Sequence, residues 1–220
     1  MADSKNKVVA IQKHTKDVSP RNAPVQGRSK KRSQQILDST AELLERVGLD
    51  ELNTILIAKE VGISVGSLYH YFPNKQAIMY AMGMRWLNEV KQVLNQFEAW
   101  PVETMGLNEL VDKVLTTNLN VYKKQKAILT LVQAMFSVPE LRQLDTDHDD
   151  LIIQKMAQVF KRMGITLHLK ERERLARVYL ETTHSMFLVV VNQKGDRAKR
   201  SLNDLKLMIT SLLNAYLFEG

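Results

Sequence analysis

The chain has 220 residues, 45% of them apolar, enough for a packed core, which excludes a disordered or fibrous protein for most of its length. It has no cysteine, so disulfide frameworks, thiolate zinc sites and cysteine nucleophiles are excluded together. The net charge of +7 is confined to one end: residues 1–32 hold nine basic and two acidic side chains, while the remainder balances at 22 of each.

That N-terminal stretch contains Pro20, Pro24 and Gly27 and shows no helical or alternating apolar pattern, so residues 1–32 are expected to be a disordered basic tail. It is a solvated leader or an arm for an anionic partner. Arg28, Lys30, Lys31 and Arg32 are its best-placed cations, because they adjoin the first expected helix. The run Val8 to Ile11 is too short for a signal peptide, and Met186 to Val191 is far too short to span a bilayer. A soluble, cytoplasmic protein is expected.

From Ser33 onward the apolar spacing is helical almost everywhere and never alternates as in a half-buried strand, which predicts an all-α fold. The first helix carries Ile36, Leu37, Ala41, Leu44 and Val47 on one stripe and ends at Gly48. Asn53 caps a short helix over 54–61, closed by Gly62. Ser64 caps a third helix to about Phe72, and Pro73 stops it. Asn74 caps a long fourth helix to about Glu98, along which the junction between domains 33–80 and 81–220 is placed. Further helices are expected at about 107–122, 125–137, 149–163, 170–193 and 197–218, punctuated by Pro139, Gly164 and Gly195.

A short helix, a tight turn with Gly62 and a second short helix make a helix-turn-helix, whose second helix enters the major groove of DNA. On that second helix Leu68 and Phe72, four apart, form the inward anchor. Gly66, Ser67, Tyr69 and His70 then point outward or sideways. Gly66 permits close backbone approach, while Ser67 and the Tyr69 and Tyr71 hydroxyls are able to bond phosphates or base edges. Lys75 is a cation in the first turn of the fourth helix, where the macrodipole disfavours it. A phosphate held at that helix start reverses the preference. The plain alternative is a solvated lysine.

Across residues 33–80 the chain resembles the TetR/AcrR regulators, through Ile57-Ala58, Gly62-Ile63-Ser64, Gly66-Ser67-Leu68-Tyr69-His70-Tyr71-Phe72 and Asn74-Lys75. Beyond residue 80 only the layout is similar. The resemblance implies an N-terminal three-helix DNA reader and a C-terminal helical bundle for ligand binding and dimerisation. It also implies a homodimer on a palindromic double-stranded DNA operator, commonly as a repressor released by a small molecule. Carried onto matching positions, it implies phosphate contacts from Thr54, Tyr69 and Lys75 and groove contacts from Val65, Gly66, Ser67 and Tyr71, with Ser64 and His70 alongside. The chain departs from the pattern at Ile55 and Leu56, where many relatives carry polar residues. An exposed Ile55 touches a thymine methyl or packs on the first helix. No outward residue of the recognition helix is Arg, Asn or Gln, so discrimination is expected from Ser67, apolar contact by Val65 and DNA shape, with the tail as a possible minor-groove reader.

Two metal-like patterns do not hold. Asp145, Asp147 and Asp149 alternate as in a calcium loop, but Asp150 stands where glycine is needed and Met156 where glutamate is needed, so an acidic cap to the next helix is expected. Glu181 and His184 share a helical face without the second pair that a di-iron bundle requires. His184 beside Ser185 builds no catalytic arrangement. We expect no enzyme activity, no metal and no cofactor.

For an apolar or amphipathic effector the candidate pocket residues are Met105, Tyr122, Met135, Phe136, Met156, Phe160, Thr183 and His184; the ordinary alternative is core. The last helix spaces Leu202, Leu205, Ile209, Leu212 and Tyr216 by threes and fours, with Met208 and Leu213 widening the stripe, and the one before it offers Leu175, Val178, Thr182, Met186 and Val189 in the same rhythm. These stripes suit a dimer interface, or packing within one subunit. The rival to a ligand-responsive repressor is a DNA-bound interaction protein of the same fold that needs no inducer. An apolar cavity within 105–190 favours the first and a filled core the second.

Overall fold

The computed structural model describes residues 27–217, and among them nine helices and no strand. The proposed arm of residues 1–26 lies outside the described residues. Helix α1 (Gly27–Glu51) starts earlier than expected: Gly27 to Arg32, assigned to the tail, form its first turns. They lack an apolar stripe because nothing packs on them, yet Lys and Arg are good helix formers and no breaker follows Gly27. Gly48, at φ 74° and ψ −179°, breaks the run as expected.

Helices α2 (Thr54–Val61), α3 (Val65–Tyr71) and α4 (Lys75–Glu98) begin where their caps predict. The Asn53 side chain accepts from the amides of Ile55 and Leu56, Ser64 from Ser67, and Asn74 from Ala77. Gly62 closes α2 in the left-handed region (φ 73°). Ile36, Leu44, Leu52, Ile57, Leu68 and Phe72 bury almost completely and lock α1, α2 and α3 together.

The remaining helices are α5 (Leu107–Lys124), α6 (Ile128–Ser137), α7 (Pro139–Arg162), α8 (Leu169–Val191) and α9 (Gly195–Leu217). They close a bundle with the second half of α4, in which α7 packs on α4, α6 and α8, and α9 on α5 and α8. Arg162 fastens the end of α4: its Nη2 donates to the Trp100 carbonyl (2.7 Å) and its Nη1 to the Glu98 carbonyl (3.2 Å), while Glu103 receives two further bonds. The last carbonyls of a helix are thereby satisfied by a cation, as the macrodipole favours.

A further expectation is overturned. The acidic run 145–150 is not a cap, because α7 begins at Pro139, six residues before the run and ten before the expected start at 149. Proline at a first helical position loses nothing by lacking an N–H, so it opened the helix instead of ending one. Long-range packing then holds the poor helix formers in place. His148 donates from Nε2 to the Leu87 carbonyl of α4 (2.9 Å), and burial lowers its pKa. A Cβ at Gly83 of α4 would meet the Leu144 side chain of α7 at 3.3 Å.

This placement leaves Asp145 and Asp149 half-buried. Burial, then the charge of Asp145 and of Glu181, pushes the Asp149 carboxyl up to about 7. A carboxyl raised in the folded state holds its proton there after the unfolded chain has released it. The associated stability is present below the unfolded value and is lost as pH rises from about 4 through about 7. Asp149→Asn should therefore raise the melting temperature at pH 8 and have little effect at pH 4, read by circular dichroism melts at both. Gly62→Ala meets open space and only backbone strain, so it should cost about 1–2 kcal/mol in urea unfolding.

Candidate nucleic-acid interface

Leu68 and Phe72 anchor α3 as predicted, and this fixes its rotation. Gly66, Ser67, Tyr69 and His70 are exposed along it, with Val65 and Tyr71 half-buried at the edges. His70 and Tyr71 meet edge to face, their centroids 5.5 Å apart. Ser64 is committed to the fold: its Oγ accepts from the Ser67 amide (3.0 Å) and is hydrogen-bonded to the Ser67 hydroxyl (2.8 Å). The Ser67 hydroxyl is thereby oriented, which removes entropy cost from any contact it makes.

Three predicted phosphate ligands come together. Thr54 at the start of α2 and Tyr69 on α3 are hydrogen-bonded through their hydroxyls (3.1 Å), and both line a surface recess with Lys75, Asn53 and Asn74. Two helix N-termini, of α2 and α4, open at this recess. Amide dipoles, hydroxyls and an ammonium converge there, which is an arrangement suited to an anion. Asp50, on the same recess, sets its acidic margin.

Lys75 has a partner within the fold. Its Nζ donates to the Leu49 carbonyl at the end of α1 (3.1 Å), so the fold itself explains a cation in the first turn of α4. Two N–H bonds remain for a partner. Ile55 is 68% exposed and does not pack on α1, whereas Leu56 joins the core.

Arg28, Lys30, Lys31 and Arg32 all reach solvent, Arg32 donating to Gln35 (2.9 Å). They crowd the positive end of α1, which has no acidic residue in its first turn. An uncompensated cluster of this kind is relieved by a polyanion.

The expected pocket residues divide. Tyr122 and His184 meet in a hydrogen bond of 2.7 Å, and Met156 and Phe160 border one small apolar cavity. Thr183 is buried, its hydroxyl donating to the Leu180 carbonyl (3.1 Å). Met135 lies in the α6 core and Met105 only flanks the bundle. Phe136 is 60% exposed on the outer side of α6 and lines no interior space, because the helix turns Leu131, Ala134 and Met135 inward instead. Of the expected dimer residues, Leu175, Leu205 and Ile209 are fully buried within the single chain and are removed from that face. Val178, Thr182, Met186, Leu202, Leu212 and Tyr216 stay accessible in part. Val189 and Met208 extend the accessible face. Missed from the sequence were Trp86 and Phe187, whose rings flank the Tyr122–His184 pair. Trp86 was legible as an inward position four residues after Met82.

Lys75→Met should lower stability by roughly 1 kcal/mol, through the lost bond to Leu49, and also weaken binding to a random-sequence duplex at low salt. Tyr69→Phe should weaken that binding with little change in unfolding midpoint. Fluorescence anisotropy with urea melts separates the two effects.

Residues 36–82 match the family described as bacterial regulatory proteins, tetR family, and residues 106–213 match the tetracyclin repressor-like C-terminal domain. The HTH-type transcriptional regulator BetI of Stenotrophomonas maltophilia is 24% identical over 142 residues, covering 64% of this chain and 72% of that protein. BetI of Escherichia coli is 30% identical over 79 residues, 36% of this chain and 40% of the relative. Among solved structures, a TetR transcription regulator from Haloarcula marismortui superposes with TM-score 0.67 at 15% identity, covering 85% of this chain and 98% of the other. Salmonella enterica GusR gives 0.62 at 20% identity, covering 84% and 96%. With both halves matched to one family and the reading surface assembled on α2 and α3, the chain belongs to the TetR family of DNA-binding transcriptional regulators.

Proposed function

We propose that the chain is a cytoplasmic repressor that binds a palindromic operator as a homodimer and releases it when a small molecule occupies the C-terminal bundle. The observation that carries this reading is the wiring between the two halves. Arg85 of α4 donates to Asp38 (2.6 Å) and Gln34 (3.2 Å) of α1. Lys126, between α5 and α6, pairs with Glu42 of α1 (2.6 Å), and Glu45 accepts from the Ala127 amide (3.5 Å). Ala127 holds a left-handed conformation (φ 54°), disfavoured for a residue with a Cβ. A groove of about 1100 Å³ separates α1 from these elements. Exposed ion pairs contribute ~0–1 kcal/mol each, so a modest rearrangement of the bundle suffices to redistribute them.

Dimerisation is supported by the accessible apolar face of α8 and α9. Val178, Thr182, Met186 and Val189 follow one side of α8, and Met208, Leu212 and Tyr216 stand four apart along α9. A two-fold dimer through that face presents two recognition helices to two half-sites. No described helix is long and apolar enough to cross a membrane. The relatives are HTH-type transcriptional regulators, in keeping with this role.

One observation favours the second reading, a DNA-bound interaction protein without an inducer. The cavity inside the bundle measures about 10 Å³, room for one water at most. The two readings separate in one experiment, footprinting of the purified protein on its own genomic DNA followed by release assays with metabolite fractions. The repressor reading expects paired half-site protection that a fraction abolishes. Protection that no fraction disturbs would establish the second. Lys126→Ala should keep operator affinity within about twofold, since it removes a surface pair, and should raise the effector concentration needed for release.

A further inference from the structure

Ile55 is 68% exposed, although α2 has a complete inward face without it: Ile57, Ala58 and Val61 are buried. An aliphatic side chain held in water forfeits the gain of burial. A single exposed residue of this kind is ordinary on a protein surface, but Ile55 has particular surroundings. The preceding residue, Thr54, is hydrogen-bonded through its hydroxyl to Tyr69 of α3 (3.1 Å), and both line the recess with Lys75. Glu60 ties the α1 side of α2 to Arg46 (2.7 Å). Ile55 stands about 140° around the helix from Glu60, away from that side. Lys59, one turn after Ile55, shares its face, is exposed, and has no ion-pair partner among the described residues.

The helix starts of this half share a second feature. None of α1, α2 and α4 has an acidic residue in its first turn, whereas α5, α8 and α9 have Glu109, Glu171 and Asp196 there. The macrodipole favours a carboxylate at a helix start, so the DNA-reading half leaves out a stabilising charge that the bundle uses. A carboxylate in place of Ile55 would repel a phosphate at the neighbouring recess. A neutral polar side chain would avoid that repulsion equally well. What isoleucine adds is a firm contact surface without any hydrogen-bonding group. Its backbone amide donates to Asn53 Oδ1 (3.1 Å), and its branched Cβ leaves one dominant rotamer in a helix, so little freedom is lost on contact. In the major groove the feature that matches such a group is the C5 methyl of thymine, the apolar group among the base edges.

We infer that Ile55 is a specificity-determining residue, which packs against the C5 methyl of a thymine next to the phosphate suited to the Thr54, Tyr69 and Lys75 recess. Helix α2 is then a second reading element and not only the support of α3. The hydrogen bond between Thr54 and Tyr69 joins the two helices at the edge they present together, so the methyl contact and the contacts of α3 keep a fixed spacing. Ile55 selects by shape and apolarity alone: adenine, guanine and cytosine offer no methyl in the groove. The inference needs only the DNA-binding role of the family, and neither the dimer nor an effector.

The test uses the full chain and a duplex that it enriches from a random-sequence pool. Each thymine of that duplex is replaced in turn by deoxyuridine, which removes the methyl and keeps every hydrogen-bonding group of the base. Fluorescence anisotropy should show at least one thymine whose replacement weakens binding roughly fourfold, the effect of one methyl left uncovered. Ile55→Ala should weaken the unsubstituted duplex by a similar factor and be indifferent to deoxyuridine at that position, while Ile55→Val should keep the penalty. At the other thymines deoxyuridine should cost Ile55→Ala what it costs the unaltered chain. Urea unfolding midpoints should agree among the three proteins, since the side chain lies outside the core. No enriched sequence, no thymine with a penalty, a penalty that Ile55→Ala retains, or one lost in Val65→Ala instead overturns the inference. Salt-sensitive binding to a random-sequence duplex that persists in those cases leaves the DNA-binding role standing without it.

Discussion

Helix α4 threads one continuous hydrophobic core from the DNA-reading half into the bundle, and the rest of the molecule is arranged around that constraint. Its first turns bury Ala77 and Ile78, and its later turns bury Trp86, Leu87, Val90, Leu94 and Phe97. A continuous helical hydrogen-bond ladder resists bending, so the two halves are joined by a rod and not by a hinge. Both ends of the rod are pinned. The Asn74 cap and the Lys75 bond to Leu49 hold one, and Arg162 holds the other. Beside this rod, α1 is tied to the bundle by core packing and by the ion pairs of Asp38 with Arg85 and of Glu42 with Lys126.

The DNA-reading half was legible in the sequence because its determinants are local. Asn53, Ser64 and Asn74 each cap within three residues, Gly62 supplies a left-handed turn, and Leu68 with Phe72 sets the rotation of α3. Each of these signals is complete within one turn of helix. The bundle was legible only as a set of helices. The start of α7 was missed because Pro139 reads equally as an end or as a beginning, and what decides it is packing against α4 from more than fifty residues away. The stripes on α8 and α9 showed which residues are apolar but not which neighbour covers them. Leu175, Leu205 and Ile209 turned inward, while Val178 and Met208 did not.

The bundle departs from an optimised core in two ways that a sequence pattern cannot reveal. It buries an indole N–H and an amide oxygen without partners, and it places carboxylates where burial and mutual repulsion raise the cost of ionising them. The small cavity between α5, α7, α8 and α9 holds no more than a water. Strained electrostatics within a well-packed frame is the pattern expected where stability has been given up for function, since surface drift rarely concentrates its defects in one place.

The recognition helix shows the same economy from the other side. It offers hydroxyls and aliphatic groups where bidentate readers commonly stand, and its best-oriented hydroxyl, on Ser67, is held by Ser64. Each single hydrogen bond discriminates less than a bidentate pair, so specificity has to be collected from several weak sources. The exposed Ile55 at the start of α2 extends the reading surface beyond α3 and adds an apolar contact suited to a thymine methyl. The exposed cations at the start of α1 add charge suited to a polyanion without reading its sequence. Selectivity on such a surface is the sum of many small terms, and no single one of them decides binding.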